Sequence, residues 1–246
     1  MPVVDGKETR SDMRIEIGLE NGYENKSIAW ALDYPGCFAY GDDGTAAIMA
    51  FPRAFIGYKE RVQSKTGTEW IDFEDFDIHL AETFDSYKVD SSILPSSGGK
   101  YVSAFWQVDW KPLSQIEIER GLQILQWSRA DLVDLTCNLS DERLDREVPD
   151  EKWGIRGILN HLSGSELWLL ERINAGNSES STLPEDTFRH LNATRIIFEN
   201  AIRTLENDPR VVGRNGSIWS PRKILRRAAW HEVDHINHIF RLLNES

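Results

Sequence analysis

The chain has 246 residues, 40% apolar and 28% charged, a composition typical of a globular protein with room for one large domain or two modest ones. No apolar run approaches the ~20 residues needed to span a bilayer. The first residues lack the apolar core of a signal peptide, so we expect a cytoplasmic protein with no membrane partner. The net charge is −12, and nine of the excess acidic charges precede Lys111. An acidic chain without a basic stripe argues against nucleic acid as a direct partner.

The two cysteines, Cys37 and Cys137, lie far apart in the sequence, and neither has the spacing of a zinc knuckle. We expect both to be reduced thiols that serve as small buried apolar side chains, which fits a reducing compartment.

The first half of the chain has the pattern of a small α+β domain. Short alternating runs at 14–20, 27–33 and 37–40, punctuated by Gly, Asn and Pro, predict strands. Residues 45–62 have helical spacing, with Pro52 near a boundary or kink, and alternation returns over 70–84. The loop-like stretch 91–100 precedes one further predicted strand at 101–106. We therefore place the domain boundary just after Trp110, which gives domains 1–110 and 111–246.

Residues 31–41 (ALDYPGCFAYG), followed by the predicted helix over 45–58, resemble the HicB-like domain. The resemblance covers residues 13–62 and implies a small, partial RNase-H-like fold. The family's Glu-Ala pair at the helix start is replaced here by Thr45-Ala46-Ala47. As a HicB-like domain, this half would engage a protein partner.

The second half predicts four amphipathic helices, over 113–139, 153–173, 185–205 and 221–243. Ser220 as N-cap and Pro221 at the first helical position mark the start of the fourth. Four such helices with connections of moderate length imply an all-α four-helix bundle. The predicted fold class is therefore an α+β N-terminal domain followed by a four-helix bundle.

Two histidines, His231 and His235, stand one turn apart on the apolar stripe of the fourth predicted helix. Burying adjacent imidazoles is costly, and a metal ion resolves that cost because histidines at i and i+4 can bind one cation. His161, on the shoulder of the second helix's apolar face, is the best third ligand, and His238 competes with it or supports the site. The alternative is that these are core histidines bonded to carbonyl or carboxylate groups.

Residues 112–243 resemble the DinB-like (YfiT-like) metal-binding four-helix bundles. The matching blocks are 153–166 (WGIRGILNHLSGSE) and 219–239, which holds the two-histidine pair. In that family one histidine of the second helix and an HxxxH pair of the fourth hold a divalent metal. The resemblance thus implies His161, His231 and His235 as ligands of a divalent metal. Three neutral imidazoles with no nearby thiolate suit the transition metals Zn, Ni, Fe or Cu, of which we expect Zn or Ni. For some members it also implies chemistry on a low-molecular-weight thiol.

Several charged residues have two interpretations each. Glu166, on the core face of the second helix, could orient a ligand histidine or take a proton as a catalytic base; alternatively it forms a buried salt bridge to an arginine of a neighbouring helix. Glu232 and Asp234 flank the two histidines and could contact them, but we expect both carboxylates to face solvent. The basic residues of the fourth helix could attract an anionic substrate, but we expect most of them to form a solvated face: Arg222, Lys223, Arg226 and Arg227.

Three functions are compatible with this sequence. The first is a divalent-metal-dependent hydrolase or thiol-dependent transferase acting on a small molecule. The second is a non-enzymatic binding or regulatory protein, in which the HicB-like domain engages a protein partner and the metal is structural or sensory. The third is a bundle that chiefly forms a homodimer. An open coordination position beside the histidines would favour the first.

Overall fold

The computed structural model describes residues 13–90, 92, 101–176 and 183–244. The chain divides into two compact units, Met1–Asp85 and Ser86–Ser246. The predicted loop at 91–100 lies outside the described residues except for Ser92. In the described part of the chain, no helix is both long enough and apolar enough to cross a membrane.

The first unit is a four-stranded sheet covered by one helix. Its elements are β1 (Met13–Tyr23), β2 (Lys26–Ala31), β3 (Phe38–Gly41), α1 (Gly44–Thr66) and β4 (Phe76–Asp85). The strand order is β3-β2-β1-β4, in which β1 and β4 are parallel and the other pairs are antiparallel. The predicted segment at 70–84 therefore contains a shorter strand, which begins at Phe76.

Helix α1 closes the core of this unit. The Asp43 side chain caps its start by accepting a hydrogen bond from the backbone N–H of Ala46 at 2.8 Å. The helix continues through Pro52, so of the predicted boundary or kink the boundary is wrong; burial of Phe51 and Phe55 in the core offsets the missing backbone donor. Phe51 and Phe55 are fully buried against the apolar face of the sheet.

The second unit is mostly helical. It begins with two short paired strands, β5 (Tyr87–Lys88) and β6 (Tyr101–Val102), and a 3₁₀ turn at Gln107–Trp110. The helices that follow are α2 (Gln115–Thr136), α3 (Asp141–Leu144), α4 (Ile155–Arg172) and α5 (Thr187–Arg203). A hairpin of β7 (Val212–Arg214) and β8 (Ser217–Trp219) then leads into the last helix, α6 (Pro221–Asn244). Helix α4 packs on α5 and α6, and α2 packs on α6 and α5. The four long helices correspond to the four predicted ones.

Serine residues cap the starts of the first and last long helices of this unit, α2 and α6. The Ser114 hydroxyl and the Glu117 carboxylate form a capping box at the start of α2. At the start of α6 the backbone N–H of Lys223 donates to the Ser220 hydroxyl at 3.3 Å, as expected for an N-cap. Arg222 of α6 reaches Glu117 at 2.6 Å and so joins the two helix starts.

The structural division at 85/86 comes before the predicted boundary at 110/111. Residues 101–110 belong with the helices because α6 binds them through buried polar groups. Lys223 Nζ donates to the carbonyl of Ser103 at 3.1 Å. Arg226 forms a bidentate salt bridge with the Asp109 carboxylate, with distances of 2.5 and 2.8 Å. The predicted strand at 101–106 is correspondingly only two residues long.

The same contacts correct the expectation of a solvated basic face on α6. Lys223, Arg226 and Arg227 are all buried, with exposed fractions of 0%, 4% and 7%. In this part of α6 the residues opposite the apolar stripe are buried as well, so the basic side chains there do not face water. Cys137 also departs from expectation because it is exposed, whereas the thiol of Cys37 is buried and its pKa is raised by that burial.

Candidate metal centre

The three predicted ligands meet between two helices of the second unit. His161 lies on α4, and His231 and His235 lie one turn apart on α6. The Nε2 atom of His231 is 3.1 Å from Nε2 of His161 and 3.1 Å from Nε2 of His235. We call this group the histidine cluster; all its ligand atoms fall within 4.8 Å of one another.

The imidazoles of the cluster are held in their neutral form. Burial, together with the charge of Lys152, lowers the pKa of His161. Burial also lowers the pKa of His231 well below its ordinary value, and His235, His161 and Arg227 add to that effect. Burial and two neighbouring histidines lower the pKa of His235 to about 3. At neutral pH each ring therefore has a nitrogen lone pair available for a metal ion.

Aromatic rings support two of the three imidazoles. The Trp153 ring stacks on His161 with centroids 4.7 Å apart, and the Trp230 ring lies 5.8 Å from His231. Gly157 makes room for the first of these, since a Cβ there would come within 2.8 Å of the Trp153 side chain. The Trp-x-x-x-Gly spacing thus helps to hold the His161 ring in place.

The convergence of three nitrogens fits a divalent ion better than a hydrogen-bonded arrangement. In neutral His231 the Nε2 atom carries either one N–H or one lone pair, so it can form a good hydrogen bond with only one of its two neighbours. Three nitrogens bound to one zinc ion in tetrahedral geometry would lie about 3.3 Å apart. Two of the three separations, both 3.1 Å, are close to that value, and the third lies within 4.8 Å.

The other histidines stand apart from the cluster. His238 Nε2 is 2.9 Å from a carboxylate oxygen of Glu151, so it neighbours His235 without joining the converging nitrogens. In the first unit His79 pairs with Glu16 at 2.7 Å. His190 is also outside the three-residue group.

Glu166 is buried, as its position on the core face of α4 predicted, but it is not part of the histidine cluster. Its Oε1 accepts hydrogen bonds from Arg129 at 2.9 Å and from Arg195 at 2.7 Å. This is the salt bridge that the sequence left open as an alternative. Burial raises the pKa of Glu166, and the two guanidiniums act against that rise.

Glu232 is the partner that sequence reasoning missed. We expected it to face solvent, yet its carboxylate is only 2% exposed and pairs with Arg129 at 2.6 Å and Arg195 at 2.5 Å. A signal for it existed in the sequence: Arg129 and Arg195 lie on core-facing positions of their helices, and buried arginines require carboxylate partners.

The family comparison agrees with the position of this site. Residues 124–239 match the DinB superfamily, and this range contains the whole histidine cluster. The match places a DinB superfamily domain in the carboxy-terminal half of the chain.

Two individual proteins are similar to this chain. A protein of Oceanobacillus iheyensis named "putative metal-dependent hydrolase" is 27% identical over 124 residues, which cover 42% of this chain and 71% of the relative. Among solved structures, YfiT from Bacillus subtilis is described as "a probable metal-dependent hydrolase with an unusual four-helix bundle topology". The two chains are 22% identical, and the matched region covers 54% of this chain and 89% of the YfiT chain, with a TM-score of 0.41.

Proposed function

We propose that the carboxy-terminal unit is a DinB-like four-helix bundle that binds a divalent transition metal, Zn or Ni, through His161, His231 and His235. We further propose that it acts as a metal-dependent hydrolase or thiol-dependent transferase on a small molecule. The observation that carries this proposal is the convergence of three neutral Nε2 atoms from two helices. The name of the O. iheyensis relative supports the same class of activity.

The protein's own residues would prepare the site for this chemistry. The two helices fix the imidazoles so that their lone pairs face one point, and Trp153 limits rotation of the His161 ring. A bound divalent ion would supply Lewis acidity and lower the pKa of a water molecule or thiol. Three protein ligands leave at least one coordination position for that molecule.

The amino-terminal unit has its own place in the proposal. We infer that it is HicB-like and engages a protein partner, which the β1-β2-β3-α1-β4 element order and the motif at 31–41 support. A low-molecular-weight thiol as the small molecule, a cytoplasmic location and a homodimer are parts of the same proposal. They follow from the sequence patterns and resemblances described above.

The environment of Glu166 favours a second candidate, a non-enzymatic metal sensor. The carboxylate expected to accept a proton is instead bound through its Oε1 by Arg129 and Arg195, and it lies outside the histidine cluster. In the described part of the chain the converging ligand atoms include no carboxylate, and such a group suits metal binding better than proton transfer. The two candidates differ in whether the metal has an accessible coordination position.

The experiment that separates them is a titration of the cobalt-substituted protein with a small thiol, followed by its visible absorption. The enzyme proposal predicts that the ligand-field bands shift as thiolate binds, and that His161→Ala abolishes the change. If the spectrum is indifferent to thiols, small anions and pH, the site is closed and the structural or sensory function is correct.

A further inference from the structure

Four charged side chains, one from each long helix of the second unit, form a buried network. Each has an exposed side-chain fraction of 12% or less, and they are Arg129 of α2, Glu166 of α4, Arg195 of α5 and Glu232 of α6. Each arginine binds both carboxylates, at distances of 2.5 to 2.9 Å. We call this network the tetrad.

The charges are divided among the helices in a regular way. Both carboxylates belong to α4 and α6, which are the helices that carry the histidine cluster. Both arginines belong to α2 and α5, which carry no residue of that cluster. Each guanidinium also donates to a backbone carbonyl across the unit: Arg129 to Leu191 of α5, and Arg195 to Leu125 of α2. The tetrad therefore ties all four helices together at one level.

Stability alone is a poor reason for such a network. Removing four charges from water costs several kcal/mol per ion, and well-packed apolar residues often stabilise a core as well or better. A guanidinium, however, is planar and presents its donors in fixed directions. Two guanidiniums that each bridge the same two carboxylates allow only a narrow range of separation and register between α4 and α6.

The tetrad is close to the histidine cluster along both helices. Glu166 follows His161 by five residues, about 7.5 Å along the axis of α4, and Glu232 immediately follows His231. Metal–ligand distances tolerate errors of only about 0.2 Å. A small slip of α4 against α6 would therefore separate His161 from the other two nitrogens.

We propose that the tetrad is a positioning device for the metal centre, in which Glu166 and Glu232, bridged by Arg129 and Arg195, hold α4 and α6 in the register that brings the histidine cluster together. This inference rests on the proposed metal centre and assigns Glu166 the role of a positioning residue. A positioning role and a proton-accepting role for Glu166 predict different effects when Glu166 is substituted. Loss of a proton-accepting base lowers only the reaction rate, whereas loss of a positioning residue also changes the affinity for the metal.

The test is Co²⁺ binding by the full chain, measured as affinity by competition with a chelator and as coordination by the visible spectrum. Glu166→Gln and Glu232→Gln keep the side-chain shape but remove a charge, and we expect the affinity to fall 10- to 100-fold with altered absorption bands. Arg195→Lys keeps the positive charge but loses the planar guanidinium that binds two carboxylates at once, and it should weaken Co²⁺ binding as well. Circular dichroism selects the variants that remain folded.

Asp109→Asn is the matched control, because it breaks another buried ion pair of the same unit, the one with Arg226. It should lower stability while leaving the Co²⁺ affinity and spectrum unchanged. Folded tetrad variants with wild-type affinity and spectrum would overturn the inference, as would an equal loss in Asp109→Asn. If the unaltered chain binds no Co²⁺, the metal-centre proposal itself fails, which is a distinguishable result.

Discussion

At the residue scale, His231 is the centre of the candidate site because its Nε2 contacts both of the other ligand nitrogens. Its burial keeps it neutral, and its neighbour Glu232, about 100° further round α6, accepts hydrogen bonds from Arg129 and Arg195. Adjacent residues of one helix thus serve two separate sites, the histidine cluster and the tetrad. A single polar residue in a core is rarely independent of its surroundings.

Glu117 provides a pH-dependent test at this scale. Burial would raise its pKa, but hydrogen bonds from Arg222 and Ser114 prevail and lower it to about 2. A carboxylate with a depressed pKa stabilises the fold above its unfolded pKa, near 4.5, and the contribution is lost as the pH falls toward 2.

We therefore expect Glu117→Gln to reduce the free energy of unfolding by about 0.5–1 kcal/mol at pH 7, a value limited by solvent screening at this partly exposed pair. The difference from wild type should shrink between pH 4.5 and pH 3. Urea denaturation at a series of pH values measures it, and a difference independent of pH would contradict the assignment.

At the element scale, the four long helices and the histidine pair were predictable because their signals are local. The period of apolar residues marks each helix, and Ser220-Pro221 marks the start of α6. The helix spacing also put His231 and His235 on one face. His161 needed the resemblance to a family as well, because nothing local to α4 fixes which helix it meets.

Other features depended on partners far away in the chain. Arg226 looked solvated because its buried acceptor, Asp109, lies more than a hundred residues earlier in the chain. The hairpin of β7 and β8 was missed despite a local signal: Asn215-Gly216, with φ values of 53° and 80°, is a dipeptide that favours tight hairpin turns. Its strands are only three residues long, too short for periodicity to reveal.

The packing of α2 on α6 can be tested at Gly121. A Cβ at this position would lie 2.4 Å from Cδ2 of the buried Leu225. We expect Gly121→Ala to lower the free energy of unfolding by about 1–2 kcal/mol, since overpacking exceeds the gain in helix propensity.

Gly164→Ala on α4 is the control, because nothing lies within 4 Å of a Cβ there. It should raise the free energy of unfolding by about 1 kcal/mol. Urea denaturation monitored by circular dichroism measures both variants. A Gly121→Ala variant as stable as the wild type would show that α2 and α6 are not in close contact at this point.

At the scale of the whole molecule, the chain joins a sheet-and-helix unit to a helical unit, and each has its own apolar core. Composition and periodicity were enough to predict this order. The division at 85/86 was not predictable in the same way, because the strand-like pattern at 101–106 belongs to a segment that binds α6 through Ser103 and Asp109. Periodicity reports local conformation and not which core a segment joins.

This division predicts how fragments behave. A fragment of residues 86–246 should fold and remain helical, whereas 111–246 leaves Arg226 without Asp109 and Lys223 without the Ser103 carbonyl. Loss of one partner of a buried ion pair costs about 3–5 kcal/mol. Thermal and urea denaturation of the two fragments measures the difference, and equal stability would contradict the assignment of 86–110 to the helical unit.

The central claim is that the histidine cluster holds a divalent metal, and elemental analysis of protein purified without chelators or a histidine tag tests it most directly. We predict about one equivalent of transition metal per chain in the wild type and in His238→Ala, since His238 pairs with Glu151 outside the cluster. The His231→Ala, His235→Ala double variant should lose nearly all of it while remaining helical. Full metal stoichiometry in that double variant would contradict the claim.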